Sequence, residues 1–296
     1  MTAAVELVVH TGDVLGEVPV WCPREGALYW MDGFKPALHR LDAASGAVTS
    51  WTPPEKYGSF ALREQGGFLV AARKRIALYD PDAGSYEPIC TPEPDGPDNF
   101  LNDGRCDRQG RFWVGSLSRL IDAPSGRLHR LDPDRRVETV DEGIWVSNGL
   151  AFSADGGTMY FADSHIKRLY NYDIDTSGAA SNKRLFADAG DRVGVPDGAT
   201  IDSEGCLWHA EFDVEMTSSS SYVVRRDPAG RIERAIEVPV ARPTSCVFGG
   251  PGLDILYVTT ASFRMDDAER AAQPWAGGLL AIDAGVVGLP ETRYAG

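Results

Sequence analysis

Apolar and polar positions alternate along this chain in runs too short for helices. In Leu38-His39-Arg40-Leu41 and in Leu128-His129-Arg130-Leu131, leucines hold the ends and polar residues the middle, the period-two pattern of a half-buried strand. Aromatic-rich runs follow Gly- or Asp-containing turns at Leu28, Phe68, Phe112, Met159, Leu207 and Leu256, with starts 40, 44, 47, 48 and 49 residues apart. After each run comes a short strand-like stretch that closes on an Asp: Asp42, Asp80, Asp132, Asp173, Asp227 and Asp283. Six units of forty-odd residues, each with room for about four short strands, predict an all-β fold, a six-bladed β-propeller. The expected organisation is a single propeller domain over residues 1–296. No long helical periodicity competes. Asp266 to Gln273, with its Asp-Asp-Ala-Glu start, predicts one short helical turn, and Thr217 to Ser221 reads as a mobile insertion in the fifth unit.

A second regularity concerns polar residues. Glu17 lies 11 residues before Leu28, Asn102 lies 10 before Phe112, Asn148 lies 11 before Met159, and Asp197 lies 10 before Leu207. In the other two units the same offset falls on Tyr57 and Ser245. Equivalent positions of successive blades are related by rotation about the propeller axis, so one offset makes one ring. Taken alone, an Asn or Asp before Gly is a turn signal, because both tolerate left-handed backbone and cap local hydrogen bonds. A turn does not require a carboxylate at the matching place in two other blades. Glu17, Asn148 and Asp197, with Asn102, would present oxygen ligands and negative charge to one pocket, which suits one hard divalent cation.

Composition narrows the partners. With 43 acidic and 29 basic residues the net charge is −14, which repels phosphate backbones and anionic lipid and speaks against nucleic acid. The start, MTAAVELVVH, has no basic region and too short an apolar run for a signal peptide, and no stretch of 18 apolar residues occurs. The expectation is a soluble cytoplasmic protein with no membrane association, a monomer or weak homo-oligomer. Five scattered cysteines without a C-x-x-C pair fit reduced thiols and exclude a cysteine zinc cage. G-x-S-x-G, H-E-x-x-H, G-x-G-x-x-G and the P-loop pattern are all missing, so nucleophile-elbow, zincin, dinucleotide and nucleotide-triphosphate readings lack their signals. His39 and His129 are expected on outer strands. His165 and His209 lie just past aromatic runs, where they could approach a channel end.

"LGEVPVW", "LNDGRCDRQGRFWVGS", "VSNGLAFSADGGTMYFADS", "VPDGATIDSEGCLW", "RPTSCVFGG" and "LYVTTA" together resemble the SMP-30/gluconolactonase/LRE-like family, also called the regucalcin family, from Glu17 to Gly296. The resemblance implies a six-bladed propeller, a metal held by Glu17, Asn148 and Asp197, and substrate held by Asn102 with Asp103 close by. The implied reaction is hydrolysis of a sugar-acid lactone, a small-molecule substrate. A divalent ion (Ca, Zn, Mn, Mg or Fe) polarises the lactone carbonyl, and Asp197 acts as proton acceptor for the attacking water and later as donor. Three residues depart from the family pattern. Val18 replaces the Gly that usually follows the Glu, for which a local adjustment is expected. Phe100 stands where animal relatives carry an Arg, and Leu120 where they carry a Glu; both positions contact the sugar hydroxyls. The apolar pair points to a less hydroxylated or differently bound substrate. In "HAEFDVEMTSSSSY", Glu211 and Asp213 fall near the pocket rim, as new contacts or as solvated charges. The alternatives are a same-fold enzyme acting on a less polar lactone or ester and a non-catalytic Ca-binding propeller.

Overall fold

A computed structural model describes residues 4–94 and 98–296. Six four-stranded antiparallel sheets form the six blades of a β-propeller. The inner strands are Gly16–Cys22, Tyr57–Leu62, Asn99–Cys106, Ser147–Phe152, Val195–Ile201 and Pro243–Gly249. Each touches the inner strands of the blades before and after it, and the last touches the first, so the ring is closed. The aromatic runs are the second strands and the Asp-terminated stretches lead into or end the third strands, as the repeat predicts.

The fourth strand of the last blade comes from elsewhere. Val5–His10, near the chain start, pairs with Gly278–Asp283 and completes the sheet whose other strands are Ile255–Thr260 and Pro243–Gly249. It is an edge strand with an alternating half-buried and exposed pattern, which is why it carries no aromatic run.

Inner and second strands are nearly wholly buried because blades stack face to face through them. Outer strands such as Ala180–Asp188 are mostly exposed. Trp30, Trp113 and Trp208 are fully buried in three second strands, the last two at matching places and Trp30 one residue further on. A carboxylate accepts each indole N–H: Asp13 at 2.9 Å, Asp107 at 2.8 Å and Asp202 at 2.8 Å. Asp107 and Asp202 also cap the turns that follow their inner strands, accepting N–H groups up to four residues on. The D-x-x-G-x-x-W spacing therefore satisfies a tight turn and a buried tryptophan with one side chain.

The short helix forms at Asp267–Ala272 with a capping box between Asp266 and Glu269 and a cap at Gln273. The Ser-rich segment is more tied down than its composition suggests. Thr217 and Ser218 donate to the Asp213 carboxylate, and Ser221 opens the third strand of blade five with its hydroxyl on the Glu211 carbonyl at 2.6 Å.

Below the inner strands, the segment after Asp283 crosses the underside of the wheel. Gly288 pairs with Asp202, Pro290 accepts from Arg108, and Glu291 forms a buried ion pair with Arg105. Tyr294 is buried against blades two and three, its hydroxyl on the Asp132 carbonyl at 2.9 Å. No helix among the described residues is long and apolar enough to cross a membrane.

Candidate functional site

Every inner strand slips register close to its first residues. The irregularities fall between Glu17 and Val20, Tyr57 and Ser59, Leu101 and Gly104, Asn148 and Ala151, Pro196 and Ala199, and Pro243 and Ser245. A bulge bends its strand and re-aims one side chain. All four ring residues read from the sequence sit at these bulges, at the end of the channel opposite the C-terminal segment.

The bulges need unusual backbone. Gly149, after Asn148, has φ of 63°. Val18, at the matching place after Glu17, has φ of 50°. At Val18 a β-branched side chain takes the left-handed conformation that glycine adopts more readily. Val18 is buried in the hydrophobic cluster of blades one and two, and that packing offsets its strain.

Asn102 and Asn148 are joined. The Asn102 amide donates to the Ser147 carbonyl at 2.8 Å and to Asn148 Oδ1 at 3.0 Å. The Asn148 amide donates to Ser164 Oγ at 2.9 Å, and Ser164 donates to the Pro196 carbonyl at 2.6 Å, next to Asp197. A polar chain runs from blade three through blade four to blade five and fixes both amides. It directs Asn148 Oδ1 inward with a lone pair to spare and leaves the Asn102 oxygen as an acceptor. Ser164 was not foreseen, because nothing in the repeat marks it.

The Glu17 and Asp197 carboxylates have no cationic side chain against them. Asp103 and Asp197 are buried and Glu17 partly so, and none forms an ion pair among the described residues. Burial pushes the Glu17 carboxyl well above the usual carboxylate range, and the charges of Asp197 and Asp103 push it further; the Val18 N–H alone pulls the other way. Burial likewise raises Asp197, with Asp103 adding to it against the Gly198 N–H. Burial raises Asp103 too, although the Arg105 charge and the N–H groups of Leu150, Gly104 and Gly149 hold it back. Like charges gathered in a dry site call for a cation. Among the described residues no three His, Cys, Asp or Glu side chains gather as a metal cage; the donor set here is two carboxylates and an amide oxygen, with Asp103 behind them. Hard oxygen donors of this kind fit one divalent ion.

The other two ring positions do not join. Tyr57 turns into the core beside Tyr79, and Ser245 packs under Gly198. Phe100 lies at the mouth with the Arg73 guanidinium over its ring at 4.2 Å. Leu120 is 64% exposed on the loop after the second strand of blade three. Glu211 and Asp213 are buried rather than solvated: Arg192 donates to both Glu211 oxygens, at 2.9 and 2.8 Å, and Asp213 caps the segment after it.

The histidines stand apart from this site. His39 and His129 occupy third strands and are buried, facing Asp13 at 3.1 Å and Glu93 at 3.0 Å. His165 stacks on Trp145 at 4.6 Å. His209 is buried within blade five and accepts from Arg226; burial, then that guanidinium, hold its pKa down to about 3.

Comparison with known proteins places the chain among relatives of the same length. The family profile described as the SMP-30/Gluconolactonase/LRE-like region matches residues 15–262. A Pseudomonas putida protein named 6-deoxy-6-sulfogluconolactonase is 38% identical over 100% of both chains. An Azospirillum brasilense L-arabinolactonase is 34% identical over 98% of this chain and 95% of its own. The crystal structure of a calcium-binding protein, regucalcin, from Agrobacterium tumefaciens superposes with a TM-score of 0.92 at 29% identity, covering 99% of this chain and 98% of the other.

Proposed function

The chain belongs to the SMP-30/gluconolactonase/LRE-like family, and from that premise we propose that it is a metal-dependent lactonase that opens a sugar-acid lactone to the free acid. The observation that carries this reading is the convergence of Glu17, Asn148 and Asp197 at three inner-strand bulges, with buried negative charge that no side chain neutralises. The two relatives named for different sugar lactones support the reaction class and leave the sugar open. The likeness to the Agrobacterium calcium-binding protein regucalcin supports a divalent ion.

Glu17, Asn148 and Asp197 would hold the cation, which supplies Lewis-acid polarisation of a carbonyl and acidifies water. Asp197 is the proton acceptor. Burial makes its carboxylate more basic than an exposed one, and it returns the proton to the leaving ring oxygen. Asn102, held by Ser147 and Asn148, orients a ring hydroxyl with its free amide oxygen. Asp103 is locked by the Leu150 N–H at 3.0 Å and adds negative potential beneath the site. Phe100 and Leu120 line the mouth, where substrate enters.

The whole chain, residues 1–296, is read as one propeller domain, of which residues 1–3 and 95–97 lie outside the described set. All five cysteines are free, which supports a reducing, cytoplasmic compartment, and we propose a monomer or weak homo-oligomer there.

Proton release in weak buffer tests the reading, across gluconolactone, xylonolactone, galactonolactone and an unhydroxylated lactone, after chelation and after adding back Ca²⁺, Mn²⁺ or Zn²⁺. Metal-restored turnover that falls at least ~100-fold in Asp197→Asn, with Glu17→Gln similarly impaired, is the expected result. Turnover indifferent to chelator and to both substitutions would overturn it. Tight metal binding without turnover on any lactone would favour the calcium-binding propeller instead.

A further inference from the structure

At the mouth of the channel, charge reverses sign. The loop between the second and third strands of blade two is Arg73-Lys74-Arg75, in a protein of net charge −14. Arg119 joins these three from blade three. Asp98 pairs with Lys74 at 3.0 Å and with Arg119 at 2.5 Å, and Glu55 pairs with Arg75 at 3.4 Å. Arg73 makes no ion pair among the described residues; its guanidinium instead lies over the Phe100 ring at 4.2 Å, with Lys74 Nζ 5.9 Å from the same ring. Glu93, in the small cavity that Arg73, Lys74, Asn99 and Leu101 line, is already bound by Ser116, His129 and Asn99.

We infer that Arg73, supported by Lys74 on the Phe100 platform, forms an oxyanion subsite for a sulfonate or phosphate group at the end of the lactone remote from its ester. A guanidinium over an aromatic ring can keep its N–H groups for a ligand, and Arg73 makes no side-chain hydrogen bond among the described residues; its fork suits a tetrahedral oxyanion in bidentate fashion. Stacking also fixes the side chain before ligand arrives, which lowers the entropy lost on binding. The Leu101 N–H donates to the Arg73 carbonyl at 2.9 Å, so the loop is fastened to the strand that carries Asn102. Phe100 precedes Asn102 by two residues, about 7 Å along a strand, roughly the span of a sugar ring and its exocyclic carbon.

The two poles of the channel then orient the substrate. The proposed metal ligands take the ester end of the lactone, and Arg73 attracts the remote anion beside Phe100. Phe100 thereby changes meaning: it is the platform for a cation reaching over from blade two. This deepens the lactonase reading and rests on it.

The test compares gluconolactone with its 6-phospho and 6-deoxy-6-sulfo counterparts in wild type, Arg73→Gln and Arg73→Lys. Expected is a wild-type kcat/KM at least tenfold higher for a charged lactone than for the neutral one. Arg73→Gln should collapse that ratio ten- to hundred-fold, chiefly through KM, as loss of a charge-assisted bond does; Arg73→Lys should fall between. Whichever of the two charged lactones shows the larger Arg73 effect identifies the anion. Raising ionic strength to about 0.3 M should shrink the ratio. Equal kcat/KM for neutral and charged lactones, or a ratio untouched by Arg73→Gln, would overturn the subsite.

If wild type turns over no lactone, titration calorimetry with glucose 6-phosphate and glucose separates the two readings. Phosphate-dependent binding lost in Arg73→Gln would uphold the subsite while the lactonase reading fails. No binding of either sugar would overturn the subsite as well.

Discussion

At the scale of single residues the inner end of the channel is a place of unresolved repulsion. Glu17, Asp103 and Asp197 lie close enough for each charge to act on the others, and the cost is paid by the metal-free fold. Divalent cation should therefore raise the melting temperature by several degrees, and Asp197→Asn should raise the melting temperature in chelator while abolishing the metal response. Thermal denaturation with EDTA and with added Ca²⁺ or Mn²⁺ checks both; a less stable Asp197→Asn in chelator would contradict the repulsion argument. Gly149 makes a second case. A Cβ there would lie 2.9 Å from that of Ala162 and 3.2 Å from the Asp197 carbonyl, on backbone at φ 63°. Gly149→Ala should cost about 1–3 kcal/mol in urea unfolding and weaken metal binding, since the crowding falls between two proposed ligands. Glu17, Asn148 and Asp197 could be read from sequence because one offset repeats across blades. Ser164, which holds the Asn148 amide and bonds the Pro196 carbonyl of the next blade, could not, because such a partner leaves no periodic trace.

At the scale of elements, the repeat was legible where burial imposes it. Second strands lie between blades and must be apolar and aromatic, so they announce themselves. The closing strand Val5–His10 and the segment crossing the underside carry no such mark, since each makes contacts used once in the molecule. Removing Val5–His10 would bare the backbone edge of Gly278–Asp283 in the last blade. A chain lacking residues 1–10 should melt at least ~5 °C lower and associate through that edge, as size-exclusion chromatography and thermal scans would show. A monomer with unchanged melting would mean the ring holds without its staple.

At the scale of the whole molecule, one buried base sets a visible pH response. His209 has a native pKa of about 3, far below the ordinary value near 6.5, so the unfolded chain takes up its proton first as pH falls. Its neutral form contributes stability in full above about pH 6.5, and that contribution is lost progressively towards pH 3. At pH 5 the loss attributable to His209 is roughly 2 kcal/mol, about 1.4 kcal/mol for each unit below 6.5. Urea unfolding of wild type and His209→Gln at about pH 7.5 and pH 5 should show a smaller acid penalty in the variant; equal penalties would assign the acid response to other groups. The segment beneath the wheel has a different kind of consequence. With Glu291 ion-paired to Arg105 and Tyr294 buried against blades two and three, the C-terminal segment covers the end of the inner strands opposite the proposed metal ligands. Under the proposed reading, lactone and product acid would share the opening beside Arg73, so each departing product would stand in the way of the next arrival. Under the proposed chemistry the product acid should compete with substrate, and the doorway should hold a sulfonated or phosphorylated acid longest.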